Sequence, residues 1–362
     1  MTARLDRLRA KLAESELDGF IVTDPSNRFY LSGYSAHDHA PNESAGVLLI
    51  GPADAALLTS PNNTEWAASE ASAFAVGAWK RPWTGTVSEH IKGLGWKRVG
   101  FEDDAMLYST HQELSSCLAG EAVLLSTHGL VDDLRRVKDA DEIVALERAL
   151  GLTDEVFTST VAAIQPGMTE REIAWMTEKG FREAGADGAA FPTNVASGPH
   201  AARPHHRPSD RRVREGEPIT IDMGALVAGY NGDLTRTIWL GDPDDRLKAV
   251  YNVVFAAQTA ALAGLRPGVS GTDGDALARR VIEAAGHKDH FVHGLGHGLG
   301  VRVHEAPSLG TTSTDVLQPG EVVTVEPGVY VPGWGGVRIE DVVVITADGC
   351  RNLTRAPKMT PV

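Results

Sequence analysis

The residues best equipped for chemistry in this sequence are four carboxylates at the ends of apolar runs. Asp222 closes Ile219-Thr220-Ile221, and Asp233 follows the turn-rich stretch Ala228-Gly229-Tyr230-Asn231-Gly232. Paired as a hairpin with its turn near Val227-Ala228, the flanking strands set Asp222 opposite Asp233, and directly opposed residues share a face about 5 Å apart. A second pair comes from an internal repeat. Gly216-Glu217-Pro218-Ile219-Thr220-Ile221-Asp222 returns as Gly320-Glu321-Val322-Val323-Thr324-Val325-Glu326, at an offset of 104 residues. Ile164-Gln165-Pro166-Gly167-Met168-Thr169 returns as Leu265-Arg266-Pro267-Gly268-Val269-Ser270, at an offset of 101. Asp222 thus corresponds to Glu326, and Asp233 to Glu340. Two pseudo-symmetric halves bring all four to one centre. Carboxylates that close repel unless a proton or cation lies between them, and two divalent cations balance four. Acids at solvated strand ends explain each residue singly but not the matched quartet.

A glycine-rich run supplies histidines. His293 and His297 have the i, i+4 spacing of a helical zinc site, yet Gly294 stands where such a helix carries its general-base Glu. Glycines at 294, 296, 298 and 300 would cost a helix about 1 kcal/mol each. The run therefore reads as extended strand or loop whose backbone approaches something closely. It fails as a dinucleotide loop, because Leu299 stands where the last Gly is required. One histidine beside four carboxylates makes an oxygen-rich centre, which suits Mn²⁺, Co²⁺ or Fe²⁺ better than structural zinc.

These residues need a scaffold, and the hydrophobic pattern outlines it. Leu5, Leu8 and Leu12 recur at helical spacing, Phe20-Ile21-Val22 and Val47-Leu48-Leu49-Ile50 read as buried strands, and residues 64–75 read as a helix. Such alternation predicts an α/β domain over residues 1–131. It holds no active-site constellation, and His37 and His39 read as loop residues. Over 132–362 the texture changes. Asp139 and Glu142 predict a capped helix running to about Gln165, and Thr169 with Glu172 predicts a capping box for a second, ending near Gly185.

Composition narrows the function. With 34 Lys+Arg against 48 Asp+Glu the formal charge is −14, and neither half is basic. A cationic nucleic-acid face is excluded, and Arg203, Arg207, Arg211, Arg212 and Arg214 read as a solvated loop. Cys117 and Cys350 stand in no ligand or disulfide spacing. Mixed charge at the N-terminus and the lack of a membrane-length apolar run lead us to expect a soluble, cytoplasmic protein without a secretion signal.

Taken together, Ile221-Asp222-Met223-Gly224-Ala225, Asn231-Gly232-Asp233-Leu234-Thr235-Arg236-Thr237, His293-x-x-x-His297-x-x-Gly300-x-x-x-His304-Glu305, Glu326-Pro327-Gly328 and Arg338-Ile339-Glu340-Asp341 resemble one family. It is the prolidase and aminopeptidase P group of "pita-bread" metallopeptidases. Thr23-Asp24-Pro25-Ser26-Asn27 and Tyr30-Leu31-Ser32-Gly33-Tyr34 resemble the creatinase-type N-terminal domain of the same group. The resemblance implies an α/β N-terminal domain followed by an α+β pita-bread catalytic domain with an internal pseudo-two-fold repeat.

It also implies roles. The metal ligands would be Asp222, Asp233, His297, Glu326 and Glu340, with Asp233 and Glu340 bridging two divalent ions. Mn²⁺ is the first expectation, with Co²⁺, Fe²⁺ or Zn²⁺ as alternatives. His205, His293 and His304 would contact substrate, and Glu326 would act as general base. Arg338 would brace the site or meet a substrate carboxylate. Two positions depart from the pattern: His200 stands where Asn is common, and His206 follows His205 where Gly is usual. The implied reaction is hydrolysis of the Xaa-Pro bond at the N-terminus of dipeptides or short peptides, by a dipeptidase or aminopeptidase. Short proline-containing peptides and a second copy of the chain are the implied partners, with no nucleic acid or membrane. The competing reading is a creatinase-like hydrolase or a lyase acting on a non-peptide small molecule. The intact ligand set counts against it.

Overall fold

The short apolar runs of the first part become strands covered on both faces. In the computed structural model, which describes residues 2–40 and 42–360, they are β1 (Gly19–Val22), β2 (Gly46–Ile50), β3 (Ala55–Thr59), β4 (Ala75–Ala78), β5 (Arg98–Glu102) and β6 (Val123–Thr127). They form one mixed sheet in the order β4-β3-β2-β1-β5-β6. Phe20, Val22, Leu48 and Ile50 pack into one core with Leu5, Leu8 and Leu12, while Ile21, Val47 and Leu49 pack into another. Two buried faces leave no room for polar alternation, which is why these strands read as continuous apolar runs. The helices are α1 (Thr2–Glu14), α2 (Pro25–Ser32), α3 (Thr64–Glu70), α4 (Trp83–Gly93) and α5 (Tyr108–Leu118). The expected helix over 64–75 stops at Glu70, because Ala75 pairs with Ala56 in the parallel β3–β4 ladder. Tertiary pairing there overrides local helical preference.

The chain divides between Arg135 and Arg136, within the short helix α6 (Asp132–Arg136) and four residues beyond the expected boundary. The second unit is built twice over. Its first half has α7 (Ala140–Ala163), α8 (Glu170–Glu183), β7 (Gly188–Ala189), β8 (Asn194–Ser197), β9 (Ile219–Met223), β10 (Ala225–Val227), β11 (Tyr230–Asn231) and β12 (Leu234–Ile238). The second has α9 (Asp245–Gly264), α10 (Gly271–Ala284), β13 (Gly296–Gly298), β14 (Glu305–Leu309), β15 (Val322–Val325), β16 (Gly328–Val331), β17 (Gly335–Arg338), β18 (Asp341–Ile345) and β19 (Cys350–Asn352). Both predicted capping boxes are present, at Asp139–Glu142 and Thr169–Glu172.

Corresponding strands occupy corresponding places. The order β12-β9-β8 in one half returns as β18-β15-β13 in the other. The bridge Thr169–Arg212 returns as Ser270–Val316, and the bond from Gly167 N–H to Val213 O returns as Gly268 N–H to Leu317 O. Each half also closes its own core, around Phe157, Ile173 and Ile221 in the first and Val254, Ile282 and Val323 in the second.

One expected register is wrong. Asp222 pairs with Thr235 rather than with Asp233. The turn falls at Ala228-Gly229, one residue later than expected, and both residues have positive φ, 49° and 78°. Two successive left-handed residues make the tight turn whose twist matches a hairpin, and Gly229 supplies that conformation without strain. Asp233 lies two residues from the Thr235 partner, diagonal to Asp222 on the same face.

Candidate metal centre

The duplicated architecture puts an acid at the same point of each half. Asp222 lies near the end of β9, and Glu326 directly follows β15. Asp233 fills the break between β11 and β12, as Glu340 fills that between β17 and β18. His297, at the middle of β13, joins them. Donor atoms of Asp233, His297 and Glu340 all lie within 4.8 Å of one another. His297 Nε2 is 3.4 Å from Glu326 Oε1 and 3.8 Å from Asp233 Oδ2. All of them border a cavity of about 430 Å³, whose wall also includes Phe191, His205, His293, His304 and Arg338.

The glycines around His297 are required by close approach. A Cβ on Gly296 would collide with the carbonyl of Thr324, and one on Gly298 with that of Ala306. The imidazole is oriented by its own strand. Its Nδ1 lies 3.0 Å from Gly298 O, which can only accept, so Nδ1 carries the proton and the Nε2 lone pair faces the acids.

The electrostatics show that the acids are short of positive charge. Asp233 and Glu340 are buried, and both hold their protons well above the ordinary carboxylate range. Burial is the main cause, followed by the negative neighbours, Glu340 for Asp233 and Glu326 for Glu340. Burial also pushes Glu326 up to about 7, with Arg338 opposing and Asp222 adding to the rise. Mutually repelling buried carboxylates with one oriented imidazole nitrogen are a donor set that fits divalent cations.

Arg338 organises the rest of the wall. Its Nε donates to Thr235 Oγ1 at 3.0 Å, its Nη1 to the Tyr330 hydroxyl at 2.9 Å and its Nη2 to Asp222 Oδ2 at 2.7 Å. The Tyr330 hydroxyl in turn lies 2.8 Å from His293 Nε2, while His293 Nδ1 lies 2.7 Å from Gly294 O. Both ring nitrogens of His293 are therefore engaged within the protein. Burial, reinforced by Arg338, lowers its pKa to about 4 and leaves it neutral. His304 packs edge-on against His297, with ring centroids 4.3 Å apart, and burial lowers its pKa too. Of the neighbouring pair, His205 lines the cavity, whereas His206 turns away to Glu170 at 3.0 Å. Sequence reasoning misses Thr235, Tyr330 and Phe191. Thr235 sits inside the Asn231–Thr237 motif and Tyr330 four residues after Glu326, but neither type signals a role, and Phe191 carries no signal at all.

Comparisons with known proteins identify the family to which this fold belongs. Residues 144–347 match the model of metallopeptidase family M24, and residues 4–137 match the creatinase/prolidase N-terminal domain. The chain is 34% identical to the Xaa-Pro dipeptidase of Pyrococcus furiosus over 358 residues, 99% of each chain. Among solved structures it resembles an Xaa-Pro dipeptidase from Bacillus anthracis, with a TM-score of 0.93 and 36% identity over 99% of this chain and 98% of that one. It also resembles an X-Pro aminopeptidase from Thermotoga maritima, with a TM-score of 0.89 and 33% identity over 98% and 99% of the two chains. The expected architecture, an α/β N-terminal domain followed by a pita-bread catalytic domain, is thereby borne out.

Proposed function

Since the chain belongs to metallopeptidase family M24 and carries the creatinase/prolidase N-terminal domain, we propose that it hydrolyses the Xaa-Pro bond at the N-terminus of dipeptides or short peptides. The carrying observation is the convergence of Asp222, Asp233, His297, Glu326 and Glu340 on one cavity. These five residues would hold two divalent ions, which supply Lewis acidity and an acidified water at neutral pH. The acid-rich donor set supports Mn²⁺ as the native ion.

The chain's own groups divide the remaining work. Glu326, at the cavity wall beside His297 Nε2, takes the proton of the attacking water. His205 and His304 border the same space and stabilise negative charge developing on the scissile carbonyl. His293, kept neutral by burial and Arg338 and held in place by Tyr330 and Gly294, offers its ring as a shaped wall to the substrate. Arg338 spends all three of its guanidinium nitrogens on protein partners, which supports a bracing role over capture of a substrate carboxylate. Assembly as a homodimer and residence in the cytoplasm belong to the same reading and rest on the family resemblance. Among the described residues, no helix is long and apolar enough to cross a membrane.

The deciding experiment compares Ala-Pro with Ala-Pro-Ala, using chelated enzyme resupplied with Mn²⁺, Co²⁺ or Zn²⁺. Cleavage of the dipeptide alone marks a dipeptidase, and faster cleavage of the tripeptide an aminopeptidase. Failure on both with every metal discards proline peptidase activity and turns attention to non-peptide substrates.

A further inference from the structure

The two departures from the family pattern, His200 and His206, converge on a single carboxylate outside the catalytic cavity. Glu170, the first residue of α8, is fully buried. His200 Nδ1 lies 3.0 Å from its Oε1, and His206 Nε2 lies 3.0 Å from its Oε2. The two imidazoles face each other with centroids 4.3 Å apart and planes inclined by 36°. Donor atoms of the three residues all fall within 4.8 Å of one another. None of the three lines the central cavity.

We propose that Glu170, His200 and His206 form a further binding site for a divalent transition-metal cation of the Zn²⁺ class. Two imidazole nitrogens and one carboxylate oxygen are a donor set that such ions favour. The carboxylate is already held in place from behind. Ser197 donates its N–H and its Oγ–H to Oε1, both at 2.8 Å. Ser209 does the same to Oε2, at 3.0 and 2.6 Å. Such support fixes a ligand's orientation. It also keeps Glu170 ionised: burial raises its pKa, but the bonds from Ser209, His206 and Ser197 outweigh burial and bring it down to about 2.

With a cation bound, the two ring nitrogens that face Glu170 present lone pairs to it, and each ring carries its proton on the other nitrogen. The Arg211 guanidinium, which donates to Ser197 Oγ at 2.6 Å, is itself paired with Glu217 at 2.6 and 2.5 Å.

The test is equilibrium dialysis against Zn²⁺ at neutral pH, with metal analysis of the wild-type chain and of the double variant H200N/H206G. Neither residue belongs to the proposed catalytic machinery. The wild type should retain one equivalent more per chain than the variant, and equal retention overturns the proposal. Should the double variant not fold, zinc-edge anomalous diffraction from wild-type crystals decides. A peak between His200, His206 and Glu170 is expected, and peaks confined to other places overturn it. Either result stands apart from the peptidase assay, so failure of one reading does not disguise failure of the other.

Discussion

Arg338 grips Asp222 through a 2.7 Å contact between Nη2 and Oδ2, committing one of the two Asp222 oxygens to the protein. The guanidinium is itself almost fully buried. Burial works against its charge, yet Tyr330, Asp222 and Glu326 together hold it more firmly protonated than a free arginine. Asp222 therefore enters the centre with its orientation decided by a residue 116 positions later in the chain.

Arg338→Lys should lower kcat/KM at least tenfold. A lysine keeps the charge but cannot reach Thr235, Tyr330 and Asp222 at once with a planar fork. Steady-state kinetics on the preferred Xaa-Pro substrate checks this. Undiminished activity would show that charge alone suffices.

Tyr330→Phe removes the hydroxyl between Arg338 and His293. Losing a buried hydrogen bond to a charged donor costs about 1.5–3 kcal/mol. We expect kcat to fall by about tenfold while bound metal is unchanged, because Tyr330 is no ligand. Kinetics paired with metal analysis separates this from loss of the centre.

Chelation should expose the repulsion among the acids. Glu340→Gln puts a neutral amide where burial and Glu326 oppose a carboxylate, and should make the metal-free chain more stable above the ordinary carboxylate range of pH. Mn²⁺ should raise the Tm of the wild type and leave that of the variant nearly unchanged. Equal stabilisation of both by Mn²⁺ would remove Glu340 from the ligand set.

Much of this centre is legible in the amino-acid sequence, because the repeat is written in residue types that recur at a common offset. Asp222, Glu326 and their partners mark strand ends, and both capping boxes carry their own local signature. Pairings decided by geometry are less accessible. The hairpin register turns on whether Ala228 or Val227 begins the turn, and an alanine at positive φ gives no warning in a sequence. Glu170 gives no signal either, since its partners lie 27 to 39 residues away and its own neighbourhood reads as an ordinary helix start. The early end of α3 is set by a parallel strand partner, which helical periodicity cannot register.

The first unit offers a pH test of its own. Glu102 accepts from Thr23 N–H at 2.7 Å, Asp24 N–H at 2.8 Å and Asn27 Nδ2 at 2.8 Å, yet burial pushes its pKa from 4.5 up to about 7. Between those values the folded chain keeps a proton that the unfolded chain has released. Stability should therefore fall as pH rises from about 4.5 through 7, by about 3 kcal/mol for this group. Urea unfolding of the full chain at pH 5 and pH 8 should show the loss, and Glu102→Gln should flatten it. A pH-independent difference between wild type and variant would refute the assignment.

The two halves of the second unit match in strand order, turn bridges and acid placement, but not in everything. Among the described residues, the second half alone supplies His297, the imidazole of the proposed ligand set, and it supplies the guanidinium of Arg338. A dimer of identical halves would be blind to direction, offering a peptide the same surroundings whichever end entered first. Fusion of two halves that differ at these positions gives the cavity a head and a tail. That polarity is what any enzyme needs to tell an amino terminus from a carboxyl terminus.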